Sequence, residues 1–406
     1  MPRSVVVTGM GVVCSLGADV GELWKGLLAG RSGIGPVTRF DPERFRSRYA
    51  AEIDDTRVTL EPGPLRFETD RMSGFVRYAL FAADRALAAS GLTERRAGGV
   101  WLGVAMGGLP SIEAGVLRQE RQGPRRTSPF LIPSLIPNMA ASMIALRHGI
   151  EGEQVTVAGA CASGCQAVGQ AMRAVRSGAR RWAVAGGSEA VTTPVTWSGF
   201  EAMRALSRRG GPEGTPRPFD RDRDGMIVGE AAAVFVLEDR EHAEARGADI
   251  HGELTGFASN SGGEGITGLS APHITRCMTD ALADAGLRPD AVDCVLAQAS
   301  GMVQGDAAEL AAVRAASAGS ARPPVVTSVK GHLGYAFAAN GPLNLAAALL
   351  ALRHRTVPPT LNLDRTEPSF ADLDIAREPR ERVIRHCLIN AFGFGGINAS
   401  LVVSRA

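Results

Sequence analysis

Lysine is almost missing from this chain: its 44 basic residues include only Lys25 and Lys330, and the rest are arginine. That bias fits the codon usage of a GC-rich genome, and it draws attention to any lysine beside a candidate site. Aromatic side chains make up only 5% of the chain, so the core has to be mostly aliphatic. Charge of one sign is not in excess. With a formal net charge of +2 and no Lys/Arg run, nucleic-acid or membrane-surface binding has no electrostatic support. The opening "MPRSVVVTGMGVVC" is too short and interrupted an apolar run for a signal peptide. The longest apolar stretch near the end, "LAAALLAL", falls far below membrane-spanning length. Six scattered cysteines with no extracellular signature point to a reducing cytoplasm and no disulfide framework. There is no low-complexity linker and no internal repeat of solenoid period.

What is present is a chain of 406 residues, 45% apolar and with 49 glycines, which reads as a compact α/β protein rich in tight turns. That length exceeds what one core usually serves, so two cores or a duplicated architecture are expected. "SVVVTGMGVV" and "VWLGVAMGG" are apolar runs ending at glycines, as buried strands do. Between them, residues 74–92 have helical spacing with Gly91 as the stop. "QVTVAGA" is a strand running straight into the helix "CASGCQAVGQAMRAVRSG", and "RWAVAGGSEA" is the next strand. The same grammar returns later in "CVLAQASG", "DAAELAAVRAA", "PPVVTSV" and "GPLNLAAALLALRH". The end, "HCLINAFGFGGINASLVVS", reads as two strands around a glycine-rich turn. Two similar halves, 1–250 and 251–406, are expected.

One loop carries a decoy. Asp220, Asp222, Asp224 and Gly225 mimic the start of a calcium loop, but position twelve is Ala231, where the loop needs a bidentate glutamate. A solvated turn of mixed charge is the better reading. Cys161, in "AGACASG", sits where a strand meets a helix. There, unpaired N–H groups and the helix dipole favour a thiolate, and small neighbours admit a substrate. The other five cysteines read as buried structural thiols. Cys161 and Cys165 lie one helical turn apart, but two thiols do not make a metal site.

"SPFLIPSLIPNMAA", "VAGACASGCQAVGQA", "RPFDRDRDGMIVGEAAAVFVLE", "TSVKGHLGY" and "NAFGFGGINASLVV" follow one another as the motifs of β-ketoacyl-acyl-carrier-protein synthases do, and the resemblance spans essentially the whole chain. It implies a thiolase-type α/β fold: two similar βαβαβαββ halves in a five-layer α-β-α-β-α stack, working as a dimer. It also implies no bound cofactor and a substrate thioester carried on the phosphopantetheine of an acyl carrier protein. By the motif, Cys161 matches the acylated cysteine. The N–H groups of Cys161 and Phe394 match its oxyanion hole, and Phe394 also matches the gating phenylalanine. Lys330 matches a lysine kept inside the site; here it is expected to lower the pKa of Cys161 by its charge.

The pattern breaks at two places. The family's condensing enzymes use two histidines to hold the malonyl carbonyl as it becomes an enolate. In register with the first, within "HGTxTPxxDxxE", this chain has "QASGMVQGDAAE", which puts Gln298 at the histidine position. The second histidine stands five residues after the lysine, and here that position is Tyr335; His332 comes three residues too early and is expected to be a bystander. Gln298 and Tyr335 can both donate hydrogen bonds to a carbonyl but make poor general bases near neutral pH.

Loss of both histidines resembles the chain-length factors of type II polyketide synthases, catalytically degenerate partners that help shape a ketosynthase's tunnel. Those typically lose the cysteine and the "FGFGG" turn, and this chain keeps both. Three roles follow. One is a heterodimer partner of an active ketosynthase, with Phe130 and Ile132 expected to line the tunnel. The second is an acyltransferase, hydrolase or cyclising enzyme working through Cys161, in a heterodimer or homodimer. The third is slow condensation with Gln298 and Tyr335 as substitute donors. For carrier docking, Arg204, Arg208 and Arg209 are candidates, while "RFETDRMSG" offsets Arg66 and Arg71 with Glu68 and Asp70.

Overall fold

The computed structural model of the chain describes residues 3–61, 71–209, 211 and 214–406. Ten strands form one hydrogen-bonded run: β1 Val5–Cys14, β2 Gly99–Gly103, β3 Gln154–Val157, β4 Trp182–Glu189, β5 Ala231–Asp239, β6 Gly252–Ser261, β7 Cys294–Leu296, β8 Val325–Thr327, β9 His386–Gly393 and β10 Ile397–Ser404. Their order is β8-β7-β9-β10-β6-β1-β5-β4-β2-β3. Read outward from the centre, β1-β5-β4-β2-β3 and β6-β10-β9-β7-β8 share one pattern. In each leaf the three inner strands are antiparallel and the outer two are parallel to the third. The leaves meet at an antiparallel seam, where Val5, Val6 and Val7 face Leu254, Glu253 and Gly252.

Five helices complete the layers: α1 Gly74–Ser90, α2 Ser163–Arg176, α3 Ala271–Asp284, α4 Val303–Ala316 and α5 Asn340–His354. α1 covers the outer face of the first leaf, on β1, β5 and β4. Gly9 and Gly11 of β1 allow the approach, since a Cβ at either would lie 2.1 or 1.9 Å from the carbonyl oxygen of Ala86 or Ala82. Gly91 ends α1 in a left-handed conformation, as its position suggested. α3 covers the second leaf, with α4 against it.

The middle layer is α2 and α5. Each contacts strands of both leaves, and they contact each other. α5 is buried from Asn340 to Leu352, which explains an apolar helix with no polar face. The result is the α-β-α-β-α stack, with a mainly aliphatic core. Both middle helices begin near the same point, and the candidate site lies there.

Candidate active site

β3 delivers the chain to a tight turn, Ala160–Ala162, and α2 starts at the next residue. Ala160 adopts φ 46°, a left-handed value that residues with a Cβ rarely take. The turn places Cys161 at the start of the helix with its side chain 9% exposed. Glycines set the clearances around it. A Cβ at Gly164 would lie 2.2 Å from the Ala338 oxygen, and one at Gly341 would lie 2.4 Å from Cys165 Sγ. A Cβ at Gly393 would be 3.1 Å from the Cys161 nitrogen. Three distant segments therefore close on the nucleophile turn: the helix start, residues 335–341 and the turn after β9.

A cavity of about 300 Å³ opens here, lined by Cys161, Gln298, Tyr335 and Phe394 together with apolar side chains such as Met106, Phe200, Met226 and Phe337. Tyr335 lines the cavity beside Cys161, and burial holds its hydroxyl well above its ordinary pKa of 10.0, so it is a neutral O–H. Its ring meets Phe337 edge-on at 5.3 Å, and Phe337 stacks on Phe200.

Gln298 is held from both sides. Its backbone N–H donates to Glu309 Oε1 (3.0 Å), and its side-chain Oε1 accepts from the Phe392 N–H of β9. The amide is thereby oriented, and its Nε2, without a partner among the described residues, is left for the cavity. None of the seven histidines lines that cavity.

Against this geometry, the comparisons with known proteins are direct. Residues 2–243 match the β-ketoacyl synthase N-terminal domain, and residues 251–364 match the β-ketoacyl synthase C-terminal domain. A 3-oxoacyl-[acyl-carrier-protein] synthase 2 of Coxiella burnetii is 38% identical over 413 residues, covering 99% of each chain. The chain belongs to the β-ketoacyl synthase family. Among solved structures, the ishigamide ketosynthase/chain length factor superposes with a TM-score of 0.92 at 32% identity, covering 100% of both chains. A type II polyketide synthase acyl-carrier protein in complex with its hexaketide-bound ketosynthase gives 0.91 at 30% identity, again over 100% of both. The fold is that of the thiolase-type ketosynthases, and the protein is of the type II polyketide or fatty-acid synthase kind.

Within this β-ketoacyl synthase, the expectation of an activated thiolate is corrected. Burial pushes the Cys161 thiol up to about 11; the Tyr335 hydroxyl and the residue's own N–H pull it down, and the charge of Glu189 adds to the rise. The sulfur is a protonated thiol at neutral pH. Lys330 cannot offset this because it does not line the cavity. It is fully buried, its Nζ donates to Asn344 Oδ1 (2.7 Å), and it acts on Glu309, Cys165 and Asp306. Burial brings Lys330 down to about 7; burial likewise pushes up Cys165, the thiol one turn along, and the Lys330 charge only partly opposes that rise.

His332 is a bystander, as its register indicated. It is buried, with Nδ1 2.9 Å from the Arg31 oxygen and Nε2 3.1 Å from the Pro359 oxygen. Phe130 and Ile132 stand apart from Cys161. Phe130 lies under the Arg71 guanidinium, 4.7 Å from its centroid, in a separate surface pocket, and Ile132 is 62% exposed.

Arg204, Arg208 and Arg209 are exposed, next to the cavity-lining Met203, and the Arg208 N–H donates to Asp224 Oδ2 (3.0 Å). Arg66, Glu68 and Asp70 lie outside the described residues. Asp220 is occupied by the N–H groups of Asp222, Asp364 and Arg365, and the described residues hold no cluster fit for a metal.

Two residues escaped the reading of the sequence. Glu189, at the end of β4, accepts N–H bonds from Ala105 (2.8 Å) and Gly107 (3.0 Å), and burial raises it to about 7. A lone acid closing an apolar strand was the available signal. Asn340, in "AANG", was the polar residue in a small apolar turn.

Proposed function

We propose that this chain is the non-condensing partner of an active ketosynthase in a type II system, a chain-length-factor-like subunit. One observation carries this reading: both positions that would need an imidazole hold other groups, Gln298 with its carbonyl taken by a strand N–H and Tyr335 as a neutral hydroxyl. Neither supplies a base or a cation for an enolate forming at neutral pH. The likeness to a ketosynthase/chain length factor and to a ketosynthase–carrier-protein complex supports the same assembly and a substrate on a phosphopantetheine arm. The two halves, 1–250 and 251–406, serve as the lobes of that subunit. Phe130 and exposed Ile132 face the partner's tunnel, and Arg204, Arg208 and Arg209 receive the acidic carrier.

A second reading has its own support. Cys161 still opens on the cavity, and Gly393 brings the Phe394 turn against the Cys161 nitrogen. Acyl transfer needs no imidazole to balance. The thioester carbon leaves the carrier sulfur for Cys161 Sγ, and the thiol proton passes to the departing sulfur.

Intact-protein mass spectrometry of the chain with acyl-loaded carrier protein, beside Cys161→Ala, separates the two readings. Stable co-purification with a ketosynthase and no adduct on this chain is the expected result. An adduct confined to the unsubstituted chain, with no ketosynthase retained, overturns it in favour of acyl transfer.

A further inference from the structure

The cavity beside Cys161 is built from a different stock of side chains than the core. Aromatic residues make up 5% of the chain, and methionine supplies 11 of its 406 residues. Yet four methionines, Met106, Met203, Met226 and Met302, line this one cavity, together with five aromatic rings. Leu269 is the only branched aliphatic side chain lining it among the described residues, and no valine or isoleucine joins it there. The core cluster around the two middle helices is the reverse, drawn mainly from alanine, valine and leucine.

The aromatic part forms a continuous wall. The Tyr335 ring meets Phe337 edge-on at 5.3 Å, and Phe337 stacks on Phe200 at 5.3 Å with 21° between the planes. Cys161, Met226, Tyr335 and Phe337 belong to one packed cluster, with Met106, Phe200 and Met302 against it. Tyr335 and Phe337 are buried, Phe200 is half-buried, and Met203, three residues on, is exposed. The wall therefore runs from beside the nucleophile to the rim. A saturated chain gains little from sulfur and ring faces that leucine and valine would not give it. A planar π-system does gain, because polarisable thioethers and aromatic rings both make specific contacts with it. A conjugated chain also has fewer torsions to freeze on entry than a saturated one of equal length.

We propose that the acyl chain admitted to this cavity is planar and conjugated, a polyenoyl thioester, and that the methionine and ring wall selects it over saturated chains. This rests on the reading that an acyl group on a phosphopantetheine arm reaches the cavity, and it holds whether the chain is a partner subunit or an acyltransferase.

The probes are amide analogues of conjugated hexadienoyl pantetheine and of hexanoyl pantetheine, which match in length and cannot transfer their acyl group. Each is titrated against iodoacetamide alkylation of Cys161 at pH 9 in the full-length protein, read by peptide mass spectrometry. The hexadienoyl analogue is expected to reach half-protection at about fivefold lower concentration. Met226→Leu combined with Met302→Leu nearly conserves volume and removes two sulfurs. The preference is then expected to fall to about twofold, the part that comes from ring faces and rigidity. If the double variant does not fold, Met302→Leu alone takes its place. Equal protection, or better protection by the hexanoyl analogue, overturns the proposal and leaves the acyl reading of the cavity intact. A preference undiminished by the leucines also overturns it, because the wall would not be its source. Protection by neither analogue removes the acyl reading of the cavity and the proposal with it.

Discussion

Two corners of one cavity have been treated differently. At the first, where α2 starts and the strand β9 turns, Cys161 sits with the left-handed Ala160 and the glycine-cleared approach of residue 393. At the second, formed by Gln298 and Tyr335, the imidazoles expected of a condensing enzyme are absent. The first corner is defined by backbone approaches, which a Cβ would block. The second is defined by two buried side chains, Gln298 and Tyr335, that line the cavity. On the proposed reading, the side-chain chemistry differs at the second corner while the backbone frame of the first is kept.

The thiol offers the largest test of that contrast. With Cys161 near 11, its alkylation rate is expected to climb about tenfold per pH unit from neutral to pH 10, about a thousandfold in all. A plateau near pH 7 would mean that the first corner is activated after all. The sign for stability follows. A folded pKa above the unfolded 9.0 contributes stability that is whole below pH 9 and lost as the pH rises through 11, and Cys14 and Cys277 behave alike. Chemical denaturation at pH 8 and pH 10.5 is expected to show the loss, and Cys161→Ala is expected to reduce it.

A second test rewrites the other corner. Restoring imidazoles with Gln298→His and Tyr335→His is expected to raise decarboxylation of a malonyl-loaded carrier by about a hundredfold or more, the typical worth of one such donor. Headspace CO₂ measures it. No gain would mean that the frame, too, has departed from a condensing site.

Third, His332→Phe is expected to leave Cys161 alkylation unchanged and to cost about 2 kcal/mol, because it removes the one imidazole N–H available to the Arg31 and Pro359 carbonyls and leaves the ring nitrogens' place apolar. A thermal melt alongside alkylation reads both. The smallest effect concerns the rim. Charge reversal at Arg204, Arg208 and Arg209 is expected to slow carrier association only a few-fold, and less so at high salt.

Much of this was legible in the sequence, for reasons that differ by residue. The strand ending at Gly103 and the helix ending at Gly91 carry local signals that packing did not override, whereas β1 runs on through Gly9 and Gly11 to Cys14. The vacancy at Tyr335 could be counted from Lys330, and His332 was set aside on the same count. The environment of Lys330 could not be counted. Its partner Asn344 sits fourteen residues on, across one turn of buried chain, and only the folded arrangement turns its charge toward Cys165. The same holds for Cys161: a helix terminus favours a thiolate, but the closeness of three packed segments leaves too little water to sustain one, and desolvation prevails.

The bond between the Phe392 N–H and Gln298 has a further consequence. A strand donor pointed at position 298 requires an acceptor there. Glutamine answers with its oxygen and turns an N–H outward; an imidazole in that place would answer with one ring nitrogen and be left in the single tautomer that turns its other N–H outward. The backbone thus dictates the polarity shown to a ligand before any side chain is chosen. Glutamine and histidine are synonyms at this position for direction, and differ only in whether the group can carry a proton's charge.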